Sequence, residues 1–480
     1  MPSNTVFTSY LSDAVTPVSA YNALRKRGSY SFLFESADMS RGMGRFSILG
    51  VDPALIIRIK GEAALVQRRG GEEQLLDCPS PLSLLEEIQK TETAHFERDL
   101  LPDFLPFAGG LVGYLGYGAV ASFESIAMQE QDFLQVPDAV FCLYDSCVVF
   151  DHLFRRCFVV SHSGAERLDE LSAALKNVAA PASSFDLPKE PVDIATLLEG
   201  TDAQYARAEF LDKVEECKGL IADGEVFQIV LSQRFSKPCQ ADALELYRVL
   251  QALSPSPYAF LLEAEDFAYL GSSPETFVRV DRAGRATVKA LAGTRRRGAD
   301  RQEDQALAAE LVGDPKEKAE HMMLVDLARN DLGRISKAGT VAVNGLCELV
   351  RYSHVMHLSS TVRGEMETDK SSFDAVKACF PAGTVSGAPK IRAMEHLARI
   401  ESERRCIYSG MVGYFDFRGM SDSAIAIRSA LLKDGVVHAQ AGAGIVFDSK
   451  AYAEYRETLN KVRPVLAAVN VAETRRFTNV

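Results

Sequence analysis

Before residue 176 the apolar positions come in short, nearly unbroken runs, as in ALIIRIKG, AVFCLYDSCVVFD and RCFVVSH. Such runs, rich in β-branched and aromatic residues, predict strands. Long helical patterns are few there, and AGGLVGYLGYGAV carries too much Gly for its pattern to decide. Residues 176–193, KNVAAPASSFDLPKEPVD, are rich in Pro, Ala and Ser, lack apolar periodicity and read as a linker. Beyond them YARAEFLDKVEECKGLIADG and EDQALAAELVGDPKEKAEHMMLVDLARNDLG show helical spacing. These alternate with β-rich runs such as VFQIVLSQRF, YAFLLEAEDFAYLGSS and GIVFDS. No short repeat occurs. The expected class is α+β, with layered, mainly antiparallel sheets flanked by helices. The expected division is an N-terminal domain over 1–178, a linker over 179–198 and a second domain over 199–470.

Composition narrows the function. The 480 residues are 47% hydrophobic and 25% charged, as in an ordinary soluble globular protein, and the formal net charge is −12. That balance argues against a nucleic-acid binder relying on phosphate contacts. The nine Cys are scattered without a C-x-x-C pair, which fits reduced thiols. The start, MPSNTVFTSY, has neither a basic nor an apolar region of a signal peptide, and no apolar run is long enough to span a bilayer. The expectation is a cytoplasmic protein without a membrane partner. Trp is absent although Phe and Tyr number 26 and 15. Chance accounts for this, or selection on an enzyme that must be made when Trp is scarce.

Several stretches carry candidate chemistry. In DPKEKAEHMMLVDLARND, Glu317 and Glu320 share one side of a helix; in AEYRETLNKVRPVL, Glu454, Glu457 and Lys461 do the same. Two E-x-x-E pairs suit a hard cation such as Mg2+, two carboxylates binding directly and two through water. Such pairs are also common on exposed helices, and Glu457–Lys461 reads equally as a surface ion pair. LAGTRRRG offers Gly293 and Thr294 beside three Arg, or simply a hairpin loop with a solvated basic tip. QAGAGIVFDS places small residues before a buried strand, so that backbone N–H groups can face a ligand. FPAGTVSGAPKIRAMEHL strips bulk from a loop that leads into a helix, with Pro389 in its first turn. These loops suit a small, flat carboxylate better than a polyphosphate. In GSSPETFVRV, Glu275 stands at a strand start as a candidate general acid or a turn carboxylate. In SHVMHL, His357 is a candidate proton carrier or a core histidine.

Taken together and in order, QIVLSQRF, GSSPETF, LAGTRRRG, KEKAEHMMLVDLARNDLGRIS, YSHVMHLSSTVRG, FPAGTVSGAPKIRAMEHL, AIAIRSAL and QAGAGIVFDS…AEYRETLNK resemble the chorismate-utilising enzymes over residues 200–466. SYSFLFESAD resembles the L-L-E-S segment of the family's anthranilate-forming large components. The resemblance implies Mg2+ held directly by Glu320 and Glu457, and through water by Glu317 and Glu454, against the ring carboxylate of chorismate. It places Gly293, Thr294 and Thr384 around that carboxylate and ring. Tyr408, Arg428, Gly442, Ala443, Gly444 and Lys461 fall around the enolpyruvyl carboxylate. Glu275 matches the acid that protonates the departing ring hydroxyl, and His357 a residue of the later elimination. Gln228 stands where isochorismate- and salicylate-forming members carry a water-activating Lys, and Ala292 where aminodeoxychorismate-forming members have Lys. Both differences imply amination at ring carbon 2 and loss of pyruvate to give anthranilate, the start of tryptophan synthesis, which fits the missing Trp. Aminodeoxychorismate, or an aminodeoxyisochorismate that goes no further, is the alternative product; a scaffolding relative without activity is the remaining one. The chain shows no glutaminase segment, which implies a hetero-oligomer with a glutamine amidotransferase subunit that delivers ammonia. The resemblance further implies inhibition by L-tryptophan at Ser36, Pro257, Tyr258 and Ala259. Phe34 and Ala259 replace the usual Leu and Met there.

Overall fold

A computed structural model of the chain describes residues 4–36, 43–176, 178, 187–188, 192–351 and 355–474. Most of the expected linker, residues 179–186 and 189–191, lies outside them. Its described end, Ile194–Leu198, is a helical turn that buries Leu197 rather than a bare connection.

Two large antiparallel sheets stack face to face, with helices on both outer faces, as the α+β expectation required. The first sheet runs from its edge strand Val6–Leu11 through Arg156–Ser161, Ser146–Asp151, Phe46–Val51 and Ser31–Glu35. It continues through Tyr258–Glu263, Phe267–Ser273, Ser429–Lys433, Val436–Ile445 and Gln228–Pro238. The second runs from Ala342–Arg351 through Val355–Glu365, Arg285–Arg296, Thr276–Val280, Ser421–Ile425 and Met411–Asp416. It goes on to Gly110–Leu115, Ala139–Tyr144, Leu55–Lys60, Ala63–Arg68 and Glu73–Asp77. Both sheets cross the expected domain boundary. Ser31–Glu35 pairs with Tyr258–Glu263, and Gly110–Leu115 with Met411–Asp416. The division at 179–198 therefore separates stretches of chain, not sheets.

The unbroken apolar runs have a simple cause: their strands are buried on both faces. In Ala139–Tyr144, Phe141 and Leu143 face the helices Pro81–Glu92, Pro315–Gly333 and Ser372–Cys379, whereas Val140, Cys142 and Tyr144 meet the first sheet. Gly110–Leu115, left open by its Gly content, alternates likewise, with Leu111 and Leu115 outward and Val112 and Tyr114 inward. On the other side the helices Ala243–Leu253 and Ala451–Thr474 cover the first sheet.

Three local expectations are corrected. LAGTRRRG is no hairpin tip; it lies in the long strand Arg285–Arg296 and its approach to a helix. Its arginines are not merely solvated, since Arg295 reaches Glu310, Asp314 and Glu317, Arg296 reaches Glu303, and Arg297 reaches Asp304. QAGAGI does not precede a strand but forms the end of one, Val436–Ile445. In FPAGTVSGAPKIRAMEHL, a short turn of helix at Gly383–Ser386 comes first. Pro389 then caps the helix Lys390–Ile400 rather than standing inside it.

Candidate active site

The site is assembled from both sheets and from one helix on each. Glu275 directly precedes the strand Thr276–Val280, and its carbonyl accepts from the Ile425 N–H. Burial lifts its carboxyl to about 7; the Thr384 hydroxyl and the more distant Lys461 ammonium pull the other way without cancelling the rise. Thr384 Oγ1 is itself buried with no well-formed hydrogen bond. At neutral pH Glu275 is therefore poised to hold a proton and give it up, as a general acid must.

Gly293 explains how a strand interior becomes part of the site. Its φ of +63° makes a bulge between Ala292 and Thr294, and a Cβ there would stand 2.8 Å from Leu311 Cδ1 and 3.0 Å from Glu317 Oε2. Only Gly allows that conformation and that approach without strain. The bulge turns its carbonyl to His357, whose Nδ1 lies 2.9 Å away. Because a carbonyl only accepts, Nδ1 carries the proton. Burial, with the Arg428 charge adding to it, lowers the His357 pKa, so the neutral ring keeps its lone pair on Nε2. Thr294 lies opposite His357 in the register; its side chain is outside the described residues.

Arg428 has φ +53°, left-handed backbone that a non-Gly residue adopts at a cost and that recurs at functional sites. Its burial lowers its pKa, while Tyr408 and Glu457 raise it. Among the described residues none makes a hydrogen bond or ion pair with its guanidinium. Lys461 donates to the Gly442 carbonyl at 2.8 Å and pairs with Glu457 at 2.6 Å. Gly442 stands close under Tyr408, whose hydroxyl lies 3.0 Å from where a Cβ would be. A Cβ on Gly444 would meet Gln228 Nε2 at 2.6 Å, and among the described residues none bonds the buried Gln228 Oε1. Ala443 alternates with these two glycines, and its methyl packs in the core with Ile229 and Ile445. Only its backbone can serve a ligand, which narrows its expected role.

The four glutamates do converge. Glu320, on Pro315–Gly333, has its pKa raised by burial and then by Glu317, Glu454 and Glu457; burial and Glu457 raise Glu454 on Ala451–Thr474. Among the described residues they do not close into a set of ligands around one point. Cations stand in part instead: Arg295 holds Glu317 at 2.9 Å and Lys461 holds Glu457. An all-carboxylate donor set whose repulsion these cations relieve only in part is what a hard divalent cation would neutralise.

The four residues expected to bind tryptophan lie elsewhere. Ser36, Pro257, Tyr258 and Ala259 line a separate cavity of about 290 Å3 between the sheets, walled by Phe34, Phe46, Phe104 and Phe260. The Tyr258 hydroxyl donates to Asp422 Oδ1 at 2.9 Å and lies 3.0 Å from Thr276 Oγ1. Sequence reasoning passed over Asp422 and Arg279 there. It also passed over the pair Asp331–Lys390, 2.9 Å, which ties the Gly383–Ala388 segment to the glutamate-bearing helix.

Residues 29–467 match the family of chorismate binding enzymes, and the chain belongs to that family. It is 40% identical over 485 residues to anthranilate synthase component 1 of Geobacillus stearothermophilus, covering 98% of this chain and 94% of that one. The crystal structure of anthranilate synthase component I from Streptococcus pneumoniae superposes with a TM-score of 0.77 at 36% identity, over 95% of this chain and 99% of that one. The menaquinone-specific isochorismate synthase of Escherichia coli shares the fold at 17% identity, with a TM-score of 0.71 over 98% and 95% of the two chains. Among the described residues no helix is long and apolar enough to cross a membrane.

Proposed function

We propose that this chain aminates chorismate at ring carbon 2 with ammonia and eliminates pyruvate, releasing anthranilate. The observation that supports the reading is a buried carboxyl, Glu275, lifted to about 7 and acted on by the Lys461 ammonium, with Arg428 as a second, buried cation. Arg428, which makes no ion pair among the described residues, and Lys461 suit the enolpyruvyl carboxylate. The backbone of Gly442 to Gly444 and the Tyr408 hydroxyl lie beside them. Thr384 and the Gly293 bulge bound the ring.

In the first step ammonia bonds to carbon 2, the ring double bonds shift, and the carbon 4 hydroxyl leaves as water with the proton of Glu275. Gln228, which has no basic nitrogen, does not activate water, whereas ammonia needs no such base. In the second step the proton on carbon 2 is removed and the carbon 3–oxygen bond breaks. The ring becomes aromatic and the side chain leaves as pyruvate. His357, with its lone pair on Nε2, is the nearby base suited to that elimination. Glu320 and Glu457, with Glu317 and Glu454 behind them, would hold Mg2+. That ion would bind the ring carboxylate and neutralise its charge. Ammonia comes from a glutamine amidotransferase subunit, and L-tryptophan fits the 290 Å3 cavity as an inhibitor; four of its wall residues match the family's tryptophan positions. A cytoplasmic location goes with this reading.

The test is the purified chain with chorismate, Mg2+ and concentrated ammonium at mildly alkaline pH. Anthranilate fluorescence with equimolar pyruvate is expected. Chorismate loss without pyruvate would favour an aminated intermediate or aminodeoxychorismate, and no chorismate loss would sink the reading.

A further inference from the structure

Behind the site lies an ion pair that nothing above assigns to the reaction. The side chains of Arg405 and Glu401 are 0% and 2% exposed, with Arg405 Nη2 and Glu401 Oε1 at 2.7 Å. Arg405 spends every N–H it has on internal acceptors. Nε donates to Glu401 Oε2 at 2.7 Å, Nη1 to the Val385 carbonyl at 2.6 Å and to Ser409 Oγ at 3.3 Å, and Nη2 also to the Val230 carbonyl at 2.6 Å. Glu401 Oε1 accepts in turn from Ser232 N and Oγ, at 2.9 and 2.8 Å. The guanidinium lies 4.8 Å from the Tyr117 ring and 5.8 Å from that of Tyr408.

Each of these contacts falls next to a residue of the site. Val385 follows Thr384, which faces Glu275. Val230 lies two residues from Gln228 and pairs with Gly444, and Ser232 pairs with Gly442. Ser409, held in left-handed backbone at φ +67°, follows Tyr408. Three segments, the Gly383–Ser386 turn, the strand Gln228–Pro238 and the Tyr408 turn, share one rigid fork. A buried ion pair is weak evidence of a stability role, because apolar replacements of similar volume are often as stable. We propose that Arg405 is a positioning residue, which sets Thr384, Gln228 and Tyr408 at their mutual distances for the reaction.

This inference rests on the chorismate-aminating reading, so its test carries a readout that does not. Arg405→Met combined with Glu401→Gln removes both charges and keeps the volumes; Arg405→Lys keeps the charge and loses the fork. For each, thermal unfolding, ammonia-dependent kcat and KM for chorismate, and amide hydrogen exchange of residues 380–389 are compared with wild type. The expected result is a Tm within a few degrees for the double variant and a kcat lower by about ten- to a hundredfold in both, the scale of a misplaced reacting group. KM should change less, and exchange over 380–389 should rise. Wild-type kcat in the double variant, unchanged exchange, or failure of both variants to fold would overturn the proposal, since a structural role would then suffice. A wild-type chain that leaves chorismate untouched sinks the functional reading instead, and the exchange result still decides on Arg405.

Discussion

Two cavities of this molecule treat their polar groups in opposite ways. In the 290 Å3 cavity between the sheets they are paired: Tyr258 bonds Asp422 and Thr276, and Glu35 accepts from Tyr247 at 2.8 Å. Rings and aliphatic side chains make up most of the rest of its wall, with Ser36, Asp103 and Arg279 among them. Around Glu275 the reverse holds. Among the described residues Thr384 Oγ1 and Gln228 Oε1 are buried with no well-formed hydrogen bond, Arg428 makes no ion pair, and Glu320 is raised by burial and then by its acidic neighbours. Satisfied polar groups on an apolar wall make a place that recognises shape. Unsatisfied ones store a cost that only a substrate or a cation of the right charge relieves.

Breaking this contrast should cost most where a proton moves. Glu275→Gln keeps the volume and removes the acid; turnover is expected to fall by about 10²–10⁴, read by anthranilate fluorescence, while Mg2+-dependent chorismate binding persists in calorimetry. Full activity would take Glu275 out of the acid's role. Next in size, Glu320→Gln should raise the Mg2+ concentration for half-activity by about a hundredfold or more. The same change should raise the Tm of the metal-free protein, because it removes a repulsive charge.

A smaller effect sharpens the comparison through pH. The Glu275 carboxyl keeps its proton up to about 7 in the folded chain, against an ordinary value of 4.5. Between these pH values the native state holds the extra proton, so its contribution to stability is complete below pH 4.5 and is lost as pH rises through 7. Relative to Glu275→Gln, wild type should lose up to about 3 kcal/mol across that window, measured by urea unfolding at both ends. Parallel stabilities of the two proteins would contradict the buried carboxyl. The smallest change belongs to the other cavity. L-Tryptophan should inhibit turnover, and Ala259→Met, which adds apolar contact worth about 1 kcal/mol, should tighten that inhibition about fivefold. Indifference to millimolar tryptophan in both would remove the cavity from regulation.

Much of the catalytic arrangement was legible because it is local. Glu317 with Glu320, and Glu454, Glu457 and Lys461, were placed on helical faces by spacing alone, and the helices Pro315–Gly333 and Ala451–Thr474 carry them there. The ordered motifs supplied the rest of the family's site. What did not show in the sequence is whatever depends on register between distant strands. Nothing in SYSFLF says that it pairs with YAFLLE, so two domains were expected where the sheets are continuous. Arg405 lies in SERRCIYSG, which looks like a charged surface turn; Glu401 is four residues away, but its partners Val230 and Val385 come to it only in three dimensions. The bulge at Gly293 was hidden for the opposite reason, since three arginines after it resemble a solvated tip.

The continuity of the sheets also sets the order in which the protein can be built. As the chain leaves the ribosome, Gly110–Leu115 is made early and its neighbour Met411–Asp416 comes late. At about 5–20 residues per second that edge stays open for about 15–60 s. Its backbone donors and apolar side chains face the cell for that time. A cell that makes this protein must therefore guard a half-finished sheet, and a pause in translation ahead of Met411 should be harder on its yield than one after it.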